Sequence, residues 1–473
     1  MAACLASCTA AFGPGYSIER QEIHVQFEPA PRPKIHVDSA SQLRNTGNQP
    51  MSVLALRLPA RRFFHVENSL VTWDETPLSG TASPANPRDT VFDLPQKWSV
   101  SERHTLHYSA EFLPPAAGET GFAFTSRAFF LPSEGWTPQL LPARGLFASG
   151  GVPPQQWRLS VRVPRGFLVH VSGRSAKISR NNNEVIVQSL QTPNDDYPFV
   201  IAGAYRETSL ESSAAKVILW THSQMQAAEF HASVEAMTRV IRAYDTTFGS
   251  TVKGSMPLWI VECPILPGCF SAQNSPYAEY LGAQSGTQSA ELASDDTLMM
   301  DFSGGPPKLA AAAPALAATW LGYGRNPGFY NQRAPLSALP AFATSLGREA
   351  ALGPPARDEA IRRALKEVPK TTGSAKQADA NVLRAKSFLF FYGLQERYGP
   401  EVFRRAMDHM LSARRGRGFN LDDLIAAFEQ ETHQNVAEFV RLWMKHPGVP
   451  DEFRMHYEGA SAALATTSKE NKP

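Results

Sequence analysis

Apolar and polar positions alternate through the first half of the chain. From Trp157 to Val163 every second residue is apolar, which is the period of a strand with one buried face. Residues 23–27 repeat the pattern, and segments rich in Pro and Gly separate such runs. Residues from about 17 to 220 therefore predict a β-sandwich-like domain.

After Trp220 the apolar residues recur every three or four positions instead. From Phe230 to Phe248 this spacing predicts an amphipathic helix, and the apolar run at 258–261 predicts a short buried strand. Further helical patterns follow at 307–323, 335–348, 355–367, 378–398, 400–413, 421–431 and 434–445. Strands followed by helices predict an α+β chain of two domains.

The length supports this division, because 473 residues exceed what one ordinary core accommodates. We expect a signal remnant or disordered segment at 1–16 and an N-terminal β domain at 17–210. A mainly helical domain follows at 211–455, and a disordered tail rich in Ala, Ser, Thr and Lys occupies 456–473.

Charge gives no case for a nucleic-acid partner. The chain carries 46 Lys and Arg against 44 Asp and Glu, a net charge of +2, whereas phosphate binding needs clustered positive charge. The local cluster Arg414-Arg415-Gly416-Arg417 is interpreted as a solvated loop. No stretch approaches the roughly 18 apolar residues that span a bilayer.

The first residues resemble a lipoprotein signal. Leu5-Ala6-Ser7-Cys8 has the form of a bacterial lipobox, but only four residues precede it. Two interpretations remain open. Either the given start truncates a signal peptide and Cys8 is acylated, which predicts a lipoprotein of the cell envelope or periplasm, or the match is chance.

Two cysteines lie close together, at Cys263 and Cys269. Their spacing permits a loop disulfide in an oxidising compartment, and two unpaired buried thiols are the alternative. These two alone do not make a metal site, because neither His nor further Cys lies nearby to complete four ligands.

Several local signatures, in order along the chain, resemble gluzincin-type aminopeptidases of the alanyl-aminopeptidase kind. They span roughly residues 17 to 453 and are Trp136-Thr137-Pro138, the run from Tyr197 to Gly203, Lys386 followed by Tyr398-Gly399 and Phe403, Phe439-x-x-x-Trp443, and Gly448-Val449-Pro450. The resemblance implies an N-terminal β domain joined to a thermolysin-like domain.

In that family a zinc ion is held by His-Glu-x-x-His and a more distant Glu, and the first Glu acts as general base on zinc-bound water. Thr319-Trp320-Leu321-Gly322 is similar to the continuation of this motif. The alignment assigns Pro314 and Ala318 to the two His positions and Ala315 to the Glu position. The third ligand position falls near Ser337 or Ala338.

No shift of alignment recovers the motif, because no His occurs between His231 and His409. The substrate-binding strand of the family is similar to Phe270-Ser271-Ala272-Gln273-Asn274, where Gln273 replaces the Glu that binds the α-amine. Arg384 occupies the position of the transition-state Tyr.

The sequence therefore predicts a non-catalytic pseudo-aminopeptidase that acts as a binding or assembly module at the bacterial cell envelope, with no metal and no cofactor. A protein or peptide partner is expected, with membrane association only through a lipid anchor. The alternative is a divergent hydrolase with non-standard or partner-supplied catalytic groups. A vestigial cleft is predicted at Gln273, Asn274, Trp320 and Tyr323, and core packing of this segment is the competing interpretation.

Overall fold

The computed structural model describes residues 15–59, 65–83, 86, 89–114, 124–132, 135–142, 152–191, 198–211, 216–222, 227–249, 258–263, 290–294, 297–300, 313–314, 316–317, 320–321, 334–369, 380–413, 419–446 and 448–458. The chain divides into two compact units, with the division after Tyr205. The first unit is β-rich and the second is mainly helical, as the change of period predicts.

The described residues of the first unit form strands in three sheets. The strands are β1 (Tyr16–Glu28), β2 (Lys34–Asn45), β3 (Met51–Arg57), β4 (His65–Trp73), β5 (Thr76–Pro77), β6 (Gly80–Ala82), β7 (Asp89–Trp98), β8 (Arg103–Leu113), β9 (Ala128–Leu131), β10 (Gln139–Leu140), β11 (Trp157–Pro164), β12 (Leu168–Val171), β13 (Arg174–Arg180), β14 (Glu184–Leu190) and β15 (Val200–Gly203). Within the described residues, the sheets have the orders β13-β14-β11-β1-β2-β8-β4-β5, β10-β3-β7-β6 and β12-β15-β9.

Alternation decides which face of each strand is buried. In β11 the buried residues are Trp157, Leu159, Val161 and Val163, as the sequence pattern predicts. These side chains join a cluster that also takes apolar residues from the smaller sheets, such as Leu56 of β3. The opposite face of the eight-stranded sheet carries polar side chains, as expected for a sheet with one face in water.

The second unit begins with β16 (Arg206–Glu211), β17 (Lys216–Thr221), β18 (Leu258–Glu262), β19 (Ala290–Ser294) and β20 (Thr297–Met300), in the order β16-β17-β18-β20-β19. Strands β17, β18 and β20 are parallel, and β19 is antiparallel to β20. Because β16 pairs with β17, the second unit starts a few residues before the predicted boundary at 210.

The helices of this unit follow the predicted segments closely. Among the described residues, the named ones are α1 (Ala227–Phe248), α2 (Leu339–Leu352), α3 (Pro354–Glu367), α4 (Ala380–Tyr398), α5 (Pro400–Ala413), α6 (Leu421–Thr432) and α7 (Val436–Lys445). A capping box at Asn420 and Asp423 starts α6, and the Asn435 side chain caps α7.

The end of the second unit extends further than the predicted tail at 456–473. Residues 451–458 are helical, and the Tyr457 hydroxyl donates a hydrogen bond to Glu396 Oε1 at 2.5 Å. Arg454 pairs with Glu458 at 3.1 Å on the same turn. These contacts hold residues that composition alone assigns to a tail. Among the described residues, no helix is both long and apolar enough to cross a bilayer.

Candidate functional site

The alanine-rich segment, residues 310–321, is the part that the resemblance aligns with the family's zinc helix. Ala313, Pro314, Leu316, Ala317, Trp320 and Leu321 are its described residues, and all are helical. Apart from the exposed Pro314, they are almost completely buried. Leu316 and Trp320 belong to the same apolar cluster as α1 and α2, so this part of the segment is core.

Two aromatic side chains fix the segment to α1. The Tyr244 hydroxyl donates to the Ala313 carbonyl at 3.2 Å, and Trp320 Nε1 donates to the Gly249 carbonyl at 3.2 Å. A Cβ atom at Gly347 of α2 would lie 2.3 Å from the Tyr244 hydroxyl oxygen, so glycine is what allows α2 this close. The indole and the phenol therefore both donate to backbone carbonyls within the core.

Of the four residues predicted to line the cleft, the structure describes one, Trp320. Trp320 is 2% exposed and lies in the core. Gln273, Asn274 and Tyr323 lie outside the described residues, so their grouping with Trp320 stays a prediction. What the structure describes of Trp320 agrees with the competing interpretation, core packing.

The residues at the assigned zinc positions do not fit a zinc ion. Pro314 is exposed, Ala338 is fully buried at the start of α2, and the half-buried Ser337 offers a neutral hydroxyl. Proline and alanine side chains supply no lone pair, whereas zinc in proteins takes thiolate, imidazole or carboxylate ligands. Within the described part of the chain, no three His, Cys, Asp or Glu residues come close enough to hold a metal.

Helix α4 carries Lys386, which is 4% exposed. Its ammonium donates to the Met444 carbonyl at 3.1 Å and to the His446 carbonyl, both at the carboxyl end of α7. Desolvation lowers the pKa of this ammonium, and the two carbonyls and the helix dipole favour its charged form. Arg384, two residues earlier, is half-buried and bonds Asn381 at 3.3 Å.

Arg454 is a second buried cation, 7% exposed, that sequence reasoning missed. Its Nη2 donates to the carbonyls of Val368 and Pro369, at 2.9 and 3.0 Å, where α3 ends. Like Lys386, it satisfies the carbonyl groups that a helix leaves unpaired at its carboxyl end. No local pattern in the sequence marks either contact, since the partners are more than 50 residues away.

Cys263 is buried directly after β18 and is disulfide-bonded. Its partner lies outside the described residues, so the pairing with Cys269 stays a prediction. Cys8, the predicted acylation site, also lies outside them, as does the Arg414–Arg417 cluster.

The first unit has a polar groove of about 500 Å³ on the solvent face of its eight-stranded sheet. Neighbouring strands line it with His24, Gln26, His36, Asp38, Ser109 and Glu111. The His36 ring lies between Glu28 and Glu111, with nitrogen–oxygen distances of 3.3 and 3.2 Å. Lys34 contacts the same two carboxylates, so the groups partner one another.

Comparison with known proteins gives matches among solved structures only. No family model matches the chain, and no curated protein sequence matches it significantly. A two-domain M1 zinc metallopeptidase, solved as a mutant bound to L-tryptophan, is 15% identical with a TM-score of 0.50. The match covers 92% of this chain and 96% of that one.

Two related structures extend this result. The same kind of mutant bound to L-arginine is 14% identical, with a TM-score of 0.50 over 92% of this chain and 95% of that one. An M1 zinc metallopeptidase mutant from Deinococcus radiodurans is 14% identical, with a TM-score of 0.49 over 92% and 96%. The chain has the fold of these two-domain metallopeptidases. At this identity the likeness concerns the fold alone.

Proposed function

We propose that this chain is a gluzincin-type pseudo-aminopeptidase, which binds a protein or peptide and does not hydrolyse it. In this proposal the first unit is the β-sandwich-like domain of that family and the second is its thermolysin-like domain. The fold shared with M1 zinc metallopeptidases supports both assignments.

The residue chemistry of the alanine-rich segment is the observation that carries the proposal. A zinc peptidase needs two imidazoles on one helical face, a third ligand and a general base. Proline and alanine replace the first two ligands and the base, and no His occurs from 232 to 408 to replace them. The described residues of the segment are apolar and mostly in the core.

Peptide hydrolysis would also require recognition of the substrate's free amine. Gln273 is neutral where the family has Glu, so it accepts a hydrogen bond but offers an ammonium no charge. Burying that ammonium without a counter-charge is costly. In our proposal Gln273 and Asn274 bind a neutral peptide segment or side chain of a partner instead.

The setting we propose is the bacterial cell envelope or periplasm, with acylation of Cys8 as the anchor. The lipobox-like tetrad supports the anchor, and a disulfide at Cys263 accords with an oxidising compartment. Mass spectrometry of the protein purified from native membranes tests this directly. An unmodified Cys8 in the mature protein would contradict it.

The experiment for lost catalysis is a fluorogenic aminopeptide assay, run with and without added zinc beside an active zinc aminopeptidase. We expect no turnover above the rate of buffer alone in either condition. Addition of the native partner provides a third arm. Turnover that appears with zinc or with the partner would favour the divergent hydrolase with non-standard or partner-supplied groups.

The experiment for binding is affinity purification from native membranes, with the parent chain and a Gln273→Ala, Asn274→Ala double variant as baits. Trp320 is left unchanged because its burial makes it a folding residue. Loss of a partner from the double variant, with an unchanged circular dichroism spectrum, is expected. Retention of every partner would place the binding surface elsewhere.

A further inference from the structure

Positive charge is concentrated in one segment of the first unit. Residues 157–190 contain six Lys and Arg and one acid, Glu184, in a chain whose charges otherwise nearly balance. The cations are Arg158, Arg162, Arg165, Arg174, Lys177 and Arg180. They are spread along the sequence, so no local run of charge reveals them.

Strand pairing brings four of these cations to one face. Leu190 of β14 pairs with Arg158 on one side and with Arg174 on the other, and Gln188 pairs with Lys177. Directly paired residues project from the same face of a sheet. Arg162, four residues after Arg158 on β11, shares that face. Arg158, Arg162, Arg174 and Lys177 together form what we call the basic face.

Most of this charge is not neutralised within the protein. Arg162 pairs with Glu184 at 3.4 Å. Arg158, Arg174 and Lys177 are exposed and make no ion pair with any described residue. Arg158 on β11 lies across β14 from Arg174 and Lys177 on β13, and the acid in register with it, Glu22 of β1, pairs with Arg20. An external anion would relieve the repulsion among these unpaired cations.

Protection of a sheet edge explains only part of the pattern. β13 is an edge strand, and Lys and Arg on edge strands hinder unwanted pairing with other chains. That role accounts for Arg174 and Lys177. It does not account for Arg158 and Arg162, because β11 is covered by β14 on one side and β1 on the other.

Aliphatic side chains lie among the cations. Ile186 and Leu190 of β14 are half-buried between them, whereas Ile178 pairs with Val187 and projects from the opposite face. A base-stacking surface is missing from the described residues here, since Trp157 is buried and Phe167 packs against the core. Cations beside half-buried aliphatic groups match the phosphates and acyl boundary of a lipid surface better than a nucleic acid.

We propose that the basic face binds the anionic headgroups of a lipid bilayer. This site is separate from the proposed pseudo-aminopeptidase function and does not depend on it. If Cys8 is acylated, the basic face adds an electrostatic contribution to that attachment.

Vesicle co-sedimentation of the full, non-acylated chain tests the proposal. Vesicles containing phosphatidylglycerol are compared with pure phosphatidylcholine, for the parent and for Arg158→Gln, Arg174→Gln, Lys177→Gln. Each cation near an anionic surface contributes about fivefold, so the triple variant should bind about 100-fold more weakly. The matched control is Arg32→Gln, Lys97→Gln, Arg127→Gln, which removes three exposed cations of the same unit outside the basic face.

We expect the control to bind like the parent, and parent binding to weaken as ionic strength rises. A Leu190→Ser variant, changed between Arg158 and Arg174, should lose a smaller factor with the same dependence on salt, which checks the apolar contact. Equal binding to both vesicle types, or equal loss in both triple variants, would overturn the proposal. So would binding of duplex DNA by the parent without binding of anionic vesicles.

Discussion

The alanine-rich segment and the region from α4 to residue 458 differ in the kind of side chain that they bury. The described part of the alanine-rich segment is apolar, and its carbonyl at Ala313 is satisfied by the Tyr244 phenol. The region from α4 to residue 458 instead buries two charged side chains, Lys386 and Arg454, against carbonyls at helix ends.

The difference shows what a buried polar group needs in order to persist. Lys386 and Arg454 have partners inside the chain, because every helix end leaves carbonyls without an intrahelical donor. His and Glu ligands at the zinc positions would need a metal as partner. A Glu at the buried position of Ala338, for example, would be unpaired without the metal, at a cost of about 1–3 kcal/mol.

Removing Arg454 should give the largest loss of stability. Arg454→Met leaves the Val368 and Pro369 carbonyls without their donor, and we expect the free energy of unfolding to fall by about 3 kcal/mol. Urea unfolding measures this. Arg441→Met is the control, because Arg441 is exposed and its pair with Glu438 at 3.6 Å should contribute little. Equal effects of the two substitutions would contradict our assignment.

Lys386→Met should cost somewhat less, about 2 kcal/mol, since burial of the ammonium already opposes its two hydrogen bonds. The exposed Lys366, changed to Met, is the control and should stay within about 0.5 kcal/mol of the parent. A parent-like unfolding midpoint for Lys386→Met would show that the carbonyls of Met444 and His446 are satisfied without it.

In the alanine-rich segment the expected effects are smaller. Trp320→Phe removes the hydrogen bond to Gly249 and part of the buried ring, and should destabilise by about 1.5 kcal/mol. Thermal unfolding followed by circular dichroism measures the loss. Stability unchanged within error would mean that Trp320 faces an open cleft and not the core.

The ionisation of Tyr244 should appear in the pH dependence of the free energy of unfolding. Burial raises the pKa of its phenol, so its contribution is present below about pH 10 and declines as pH rises further, where the unfolded chain ionises first. Tyr244→Phe should therefore cost about 1 kcal/mol near neutral pH and lose stability less steeply above pH 10. Because the two proteins share every other titratable group, including Lys386, the difference between their pH curves reports the ionisation of Tyr244. Parallel pH curves would contradict the burial.

The sequence predicts the local structure well, because alternation and helical spacing are local properties. The helix α5, predicted at 400–413, has those bounds in the structure. Strand pairing is not local. The basic face depends on β14 lying between β11 and β13, and no residue within β11 specifies that neighbour.

The sequence predicts which zinc ligands the candidate site lacks better than it predicts how the site packs or what it binds. Residue types show that Pro314, Ala315 and Ala318 cannot bind zinc once the alignment is accepted. Whether such a segment then lines a cleft or joins the core depends on what packs against it. For Trp320 that is decided by Tyr244 and the Gly249 carbonyl, which lie about 70 residues away in sequence.

The central claim, loss of the zinc site, is tested most directly by the metal content of the purified chain. The protein is dialysed against metal-free buffer, with an active M1 zinc metallopeptidase treated in parallel, and zinc is measured by elemental analysis. Our account predicts zinc far below one ion per chain, while the active enzyme retains its ion. Close to one zinc per chain, retained through dialysis, would contradict it.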